Sequence, residues 1–270
     1  MTVPVYILIR TSGRPQFFAR MMASIQAQSY KKIVTIVHSD DPRDEYVTGD
    51  IILHGTAYGL EYGSGTYNLY NNRLLKAIPD EPGYYHFIDD DDEYASPDVI
   101  EKLVNQSLED HVNVGKVSRW DGQIFPKKWG IQKSYQTECF FIHTDYRHKA
   151  KWWGNKGGDH HYSKQLTKIL PINWIDNLLI CKAQQGKGHG WKHDATGKTA
   201  HTKQFKPNEL VAVMGLVPVK KGHSKDWIRQ GTLKMIPYSR AIELEKENKV
   251  KITNWSNYIE KPPVRNIYAN

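Results

Sequence analysis

The fold of this chain is decided by the stretch Tyr84-Tyr85-His86-Phe87-Ile88, which runs directly into four aspartates, Asp89-Asp90-Asp91-Asp92. An apolar run of this length is typical of a strand that is buried in a sheet. If that strand ends at carboxylates, it places oxygen ligands at the sheet edge, and such oxygens suit Mg²⁺ and Mn²⁺. Four adjacent negative charges repel one another, so a bound cation is a natural partner. A solvated acidic turn before the next helix is the alternative interpretation.

Upstream of this stretch, apolar runs alternate with helical patterns. Residues 3–9, 33–37 and 50–54 are predicted strands, and Pro15 is well placed at the first position of a helix. A further helix is predicted from Pro97 to about Glu109. This alternation implies right-handed crossovers and a mostly parallel sheet, whose carboxyl edge binds ligands.

Beyond residue 110 the pattern indicates shorter elements. Strands are predicted at residues 114–118, 137–143 and 178–181, with the middle one antiparallel, and a helix is predicted to begin near Asp159. A charged surface helix is predicted from Tyr238 to Lys249. The expected fold class is therefore α/β, with a mostly parallel central sheet flanked by helices and a small antiparallel part.

The net charge of +8 is unevenly distributed along the 270 residues. Residues 1–181 contain 20 Lys and Arg against 22 Asp and Glu, whereas residues 182–270 contain 17 against 7. The basic last third is expected to attract a nucleotide diphosphate, a nucleic acid or an anionic membrane surface, unless it serves only solubility. We predict a catalytic domain over residues 1–205 and a basic C-terminal extension over residues 206–270.

Other bulk features narrow the class of protein. No apolar stretch has membrane-spanning length and no signal peptide is visible, which predicts a cytoplasmic protein, with peripheral membrane attachment left open. Cys139 and Cys181 lie in apolar runs and are predicted to be buried free thiols.

Several short pieces of the chain, in this order, resemble the A-fold glycosyltransferases and are most similar to the inverting family 2. The pieces fall within residues 3–195 and are Ile9-Arg10-Thr11 with Arg14-Pro15, Ser24 to Tyr30, Asp40-Asp41, Asn71-Asn72-Arg73, Phe87 to Asp92 and Gly157-Gly158-Asp159. The resemblance implies a Rossmann-like glycosyltransferase-A fold. It also implies transfer of a sugar from a nucleotide-sugar donor to a hydroxyl acceptor such as a glycan, with Mn²⁺ or Mg²⁺ as cofactor.

The resemblance assigns one set of residues to the donor: Arg10, Thr11, Arg14, Asp40, Asn72, Arg73, Asp89, Asp90 and Lys187. Asp40 would border the base and accept a hydrogen bond from the imide N–H of uracil, which favours a UDP-sugar. An ordinary turn aspartate before Pro42 is the alternative for this residue. Asn72 or Arg73 would lie near the diphosphate or donor sugar, although both also suit an exposed helix surface.

The resemblance assigns a second set to the metal: Asp91, Asp89, His189 and His193. Asp91 would touch the cation, while Asp89 or Asp90 reaches the ribose or a metal-bound water. Alternation along an extended segment would place Asp89 and Asp91 on one side. Many A-fold enzymes add a histidine from a later loop, and either His189 or His193 lies at a suitable distance along the chain.

The resemblance makes Asp159 the general base that deprotonates the acceptor hydroxyl. A helix start favours an ionised carboxylate, although aspartate is also a common helix cap. Family members commonly have Glu-Asp here, whereas this chain has Gly158-Asp159. Trp152 and Trp153 are expected to form a stacking wall for the acceptor beside Gly158, with a place in the core as the alternative.

Other classes of protein stay open from the sequence alone. A retaining reaction uses the same scaffold, and sugar-phosphate nucleotidyltransferases share the layout, although the turn after the first strand contains only Gly13 where they carry a glycine-rich loop. Lysines interleaved with tryptophans in the last third also fit a nucleic-acid-binding protein, or a DNA-base glycosyltransferase that holds the duplex.

Overall fold

The computed structural model describes residues 2–39, 44–54, 68–127, 136–154 and 157–184, and residues 210–215, 233–237, 243–244 and 250–252. Over residues 2–184 the elements are β1 (Val5–Thr11), α1 (Pro15–Gln26), β2 (Ile33–Ser39), β3 (Ile51–His54), α2 (Leu69–Lys76), β4 (Tyr84–Asp89), β5 (Glu93–Tyr94), α3 (Val99–Gln106), β6 (Val112–Arg119), β7 (Ile124–Phe125), β8 (Phe140–His143), α4 (Gly158–Leu166) and β9 (Ile172–Ala183).

These strands form one sheet in the order β3-β2-β1-β4-β8-β6-β9-β5, with β7 paired to β6. The pairs β2–β3, β1–β2, β1–β4 and β6–β9 are parallel, whereas β8 runs antiparallel to both β4 and β6. The prediction of a mostly parallel sheet with an antiparallel part is therefore confirmed, including the antiparallel direction of the strand at residues 140–143.

The core forms because the central strands are apolar on both faces and the helices present apolar stripes to them. In β1, residues Val5 to Ile9 are all buried, which requires helices on both sides of the sheet. Pro15 begins α1 as predicted, since its fixed φ suits the first helical position. The buried face of α1 consists of Phe17, Phe18, Met21, Met22 and Ile25.

Three local predictions need correction. The predicted helix from Pro97 begins at Val99 and ends at Gln106, and β9 extends much further than the predicted residues 178–181. The four aspartates do not continue as an extended segment. The backbone N–H of Asp92 donates to the carbonyl of Asp89 at 3.0 Å, so the chain turns sharply through Asp90 and Asp91.

The C-terminal part contributes a separate three-stranded antiparallel sheet of β10 (Leu210–Gly215), β11 (Leu233–Pro237) and β12 (Val250–Ile252), in the order β11-β10-β12. Apart from two helical residues at 243–244, the helix predicted from Tyr238 to Lys249 lies outside the described residues. The division of the chain near residue 205 stays a prediction.

Two predictions about the bulk chain can be compared with the structure. Cys139 and Cys181 are both free and buried, as expected. Among the helices that the structure describes, none has the length and apolar character needed to cross a bilayer.

Candidate active site

Polar residues at the ends of three parallel strands meet at one edge of the sheet. β1 lies between β2 and β4, and its register pairs Arg10 with both His38 and Asp89. Because these strands run in the same direction, their carboxyl ends open at the same edge, where ligands bind in α/β sheets. The parallel register therefore brings the start of the aspartate run against the Arg10-Thr11 segment.

Asp90 is fully buried and holds the aspartate turn onto the β1–α1 connection. Its carboxylate accepts a hydrogen bond from the Arg14 Nε at 3.1 Å and forms a second, shorter contact with the Arg14 Nη2. It also accepts from the Thr11 hydroxyl at 2.7 Å. Arg14 and Thr11 are themselves buried, so this cluster fixes the shape of the site.

Asp89 is the most open carboxylate of the turn. Its Oδ1 accepts from the Arg10 Nε at 3.0 Å and from the Arg10 Nη2 at 2.5 Å, and 35% of its side chain remains exposed. Asp91 is buried at 5% exposure, and its Oδ2 lies 3.5 Å from the Arg14 Nη1. Two arginines thus compensate part of the negative charge of the run.

The side chain of Asp92 stabilises the backbone of the turn. Its two carboxylate oxygens accept from the backbone N–H groups of Asp89 at 3.0 Å and of Gln184 at 2.7 Å. Burial raises the pKa of Asp92 well above its usual value, and the nearby negative charges of Glu138, Asp91 and Asp89 raise it further.

Glu138 joins this cluster and was missed by the sequence analysis. It lies in a single helical turn, Thr137–Cys139, that leads into β8, and only 6% of its surface is exposed. Burial, followed by repulsion from Asp89, raises the pKa of Glu138 to about 8. Pairing of β8 with β4 brings it to the aspartates, and no local pattern around residue 138 signals that contact.

Asp159 lies in the first turn of α4, as predicted. Burial raises the pKa of its carboxyl group, while hydrogen bonds from backbone N–H groups at the helix start and the charge of Arg10 act in the opposite direction. The negative charge of Asp89 also raises the pKa of Asp159, so Arg10 and Asp89 are both close enough to act on this carboxyl group electrostatically. A raised pKa makes the carboxylate a stronger base.

Gly158 allows the start of α4 to approach Asn68 closely. A Cβ atom at this position would lie 2.5 Å from the Nδ2 atom of Asn68, which stands just before α2. The Oδ1 atom of Asn68 in turn accepts a hydrogen bond from the Arg10 Nη1 at 3.4 Å. Asn68 therefore connects the start of the Asp159 helix to the arginine that pairs with Asp89.

Replacing Gly158 with alanine should destabilise the protein by about 1–3 kcal/mol, because the new methyl group overlaps the Asn68 amide. Thermal unfolding followed by circular dichroism measures the effect. The double variant Gly158→Ala with Asn68→Ala removes the overlapping amide and leaves a 3.3 Å approach to the Asn68 Cβ. An equal loss in the single and double variants would contradict steric overlap as the cause.

The candidates Asn72, Trp152 and Trp153 lie close together but differ in their exposure to solvent. The side-chain amide of Asn72 donates a hydrogen bond to the backbone carbonyl of Trp152 and accepts one from the backbone N–H of Trp152, both at 2.9 Å. Trp152 is buried at 2% exposure, whereas Trp153 is 52% exposed. The ring of Trp152 therefore belongs to the core, and of these two residues only Trp153 presents its indole to solvent.

Arg73 belongs to α2, and its side chain reaches the ends of β2 and β3. Its Nη1 atom is 3.0 Å from the Nε2 of His38 and donates to the His54 carbonyl at 3.2 Å. His38 is stacked on Tyr70 of α2, with ring centroids 4.3 Å apart. Arg73 thus stands at the same sheet edge as Arg10. Four further candidates lie outside the described residues: Asp40, Lys187, His189 and His193.

No protein-family model matches the sequence, and comparison with curated proteins gives no match. Solved structures match in fold. S. aureus TarS 1-349 superposes with a TM-score of 0.51 at 11% identity, over 67% of this chain and 60% of that one. The mannosyltransferase PcManGT from Pyrobaculum calidifontis, in complex with GDP-Man and Mn²⁺, gives 0.50 at 12% identity, over 71% and 61%.

This chain has a glycosyltransferase-A-like fold, as the sequence resemblance predicted. At identities of 11% and 12%, the likeness establishes the architecture and not the reaction. The match spans less than two thirds of either solved chain.

Proposed function

We propose that this protein transfers a sugar from a nucleotide-sugar donor, preferably a UDP-sugar, to a hydroxyl acceptor, with inversion and with help from a divalent cation. The observation that carries the proposal is the convergence of Asp89, Arg10 and Asp159 at the carboxyl edge of the parallel sheet. A binding carboxylate and a basic carboxylate that both interact with one arginine suit an anionic donor beside a neutral hydroxyl.

The carboxylates of this site fit a hard divalent cation. Within the described part of the chain, no cluster of three or more His, Cys, Asp or Glu side chains is arranged to hold a metal. Mg²⁺ in phosphate-binding sites commonly takes only one or two carboxylates and completes its shell with phosphate oxygens and water. Asp89 and Asp91 would supply those carboxylates, and the cation would stabilise the negative charge of the departing diphosphate.

The raised pKa values of Asp92 and Glu138 support the same conclusion. Both carboxyl groups are buried and lie beside other carboxylates, so the folded site favours the binding of positive charge there, either as protons or as a cation. A bound cation relieves the repulsion among these carboxylates.

Asp159 carries the proton transfer in the proposed reaction. Its carboxylate accepts the proton of the acceptor hydroxyl while the acceptor oxygen bonds to the anomeric carbon. The bond from that carbon to the diphosphate breaks, and the diphosphate leaves with the electron pair. Attack from the face opposite the leaving group inverts the anomeric configuration.

The ends of β2 and β3 support a donor site next to this centre. Arg73, held between His38 and the carbonyl of His54, places a guanidinium group at the edge where the diphosphate would lie. The guanidinium geometry suits phosphate oxygens. Asp40, which directly follows β2, remains the residue proposed to read uracil.

Calorimetric titration of UDP in the presence of Mn²⁺ tests the proposal. Wild-type protein should bind UDP with Mn²⁺ and much more weakly in EDTA. Asp91→Asn should weaken the Mn²⁺-dependent binding by about 100-fold, because a charged ligand of the cation is lost. In EDTA the two proteins should bind UDP equally.

Asp110→Asn is the matched control, since the Asp110 side chain is 76% exposed and pairs only with His111 in the contacts described. It should bind UDP like the wild type. No binding of any nucleoside diphosphate with Mn²⁺, or an equal loss in both variants, would contradict the assignment of the donor site.

A further inference from the structure

Trp153 differs from the other exposed tryptophans in its position. Its ring stacks on His161 of α4, with centroids 5.0 Å apart and an interplanar angle of 22°. His161 follows Asp159 by two residues on the same helix. One exposed indole alone is common on protein surfaces, so the way in which this one is held decides its meaning.

Two side-chain amides hold the backbone just before Trp153. Asn72 makes its reciprocal pair of hydrogen bonds with Trp152, both at 2.9 Å. Gln165 makes a similar pair with Lys151, accepting from its N–H at 3.2 Å and donating to its carbonyl at 2.9 Å. Four hydrogen bonds therefore fix two consecutive residues, which leaves Trp153 on a preorganised support.

The buried neighbour of Trp153 connects this support to the site. Trp152 stacks on Tyr162 of α4 at 4.6 Å and packs edge-on against Phe87 of β4 at 5.2 Å. β4 ends at Asp89, and α4 begins beside Asp159. The elements that place the two key carboxylates thus also place the exposed indole.

We propose that Trp153, backed by His161, is the stacking platform for the acceptor, and that the acceptor presents a sugar ring there. This inference rests on the proposed glycosyl transfer. One face of a pyranose carries C–H groups that pack on an indole, while its hydroxyls need polar partners such as Asp159 and His160.

The charge of the neighbouring site favours a neutral sugar over a polyanionic acceptor. At the neighbouring site, Arg10 and Arg14 are paired with Asp89 and Asp90, respectively. Neither guanidinium group is therefore left to bind the phosphates of a nucleic-acid backbone that approaches Trp153, whereas an uncharged ring needs no such partner.

Saturation-transfer NMR with methyl glycosides of glucose, N-acetylglucosamine and mannose tests the platform on the full-length protein. At least one glycoside should receive saturation on the C–H protons of one ring face. Trp153→Ala should reduce that signal by about tenfold, and Trp153→Phe should restore part of it, because a smaller ring keeps some stacking. Trp120→Ala, which removes an indole of similar exposure (50%) from the strand connection after β6, should change nothing.

Outcomes on the donor side keep the two proposals distinguishable. Trp153→Ala should bind UDP with Mn²⁺ like the wild type, since the platform serves the acceptor. Absence of that UDP binding in the wild type would overturn the proposed function. If UDP binding is retained, three results would overturn the platform and leave the proposed function standing. These are that no glycoside binds the wild type, that Trp153→Ala binds glycosides normally, or that only the binding of a short oligothymidylate depends on Trp153.

Discussion

Asp159→Asn should lower the rate of sugar transfer by about 10²–10⁴-fold, the range expected when a general base is removed. The amide keeps the shape of the side chain, so the start of α4 and the neighbouring Arg10 should stay in place. Donor binding should change by no more than about twofold, because Asp159 acts on the acceptor hydroxyl in the proposed reaction.

Release of UDP from UDP-sugars with an added glycoside acceptor measures the rate, and calorimetry measures donor affinity. Asp145→Asn is a matched control, because Asp145 follows β8 near His143, which pairs with Tyr84 at the amino end of β4. It lies at the opposite edge of the sheet and should leave the rate unchanged. Equal loss of donor affinity and rate in Asp159→Asn would assign this residue to donor binding.

The parts of the fold that the sequence predicted are those governed by local periodicity. β1, α1 and β4 were recognisable because an apolar run, a proline at a helix start and a run ending in carboxylates each have a local physical cause. Parallel pairing then follows from strand–helix alternation, and it implies that Arg10 and Asp89 meet although 79 residues separate them.

The parts that escaped prediction depend on contacts across the fold. Glu138 reaches the aspartates only because β8 pairs antiparallel with β4, and its own segment carries no active-site pattern. Asn72 was assigned to the donor from its place in a motif, yet its amide is engaged by the backbone of Trp152, 80 residues away. Such partners are chosen by tertiary packing, which single-residue preferences do not encode.

The aspartate run shows the same limit at short range. Alternation predicted Asp89 and Asp91 on one side of an extended segment, but the chain turns after Asp89 and buries Asp90 against Arg14. The turn forms because Thr11 and Arg14 offer a buried carboxylate its hydrogen bonds, and a buried charge persists only with such partners. Asp90 and Asp92 therefore serve structure, which leaves Asp89 and Asp91 for the proposed cation.

Arg14→Met should destabilise the protein by about 3–5 kcal/mol, the cost of leaving one member of a buried ion pair without its partner. The Asp90 side chain is completely buried and that of Arg14 is 10% exposed, so water cannot replace the guanidinium group. For a domain of this size the melting temperature should fall by roughly 10 °C. Thermal unfolding in EDTA measures the loss without stabilisation by a cation.

Two comparisons separate the buried pair from a general loss of charge. Arg119→Met breaks the more exposed pair with Asp121, whose side chains are 27% and 20% exposed, and should cost no more than about 1 kcal/mol. Adding Asp90→Leu to Arg14→Met removes the unpaired charge and should restore part of the stability, since apolar replacement of a whole buried pair is often tolerated. If the double variant is no more stable than Arg14→Met alone, the unpaired carboxylate is not the cause, and the packing of the arginine side chain against its neighbours explains the loss instead.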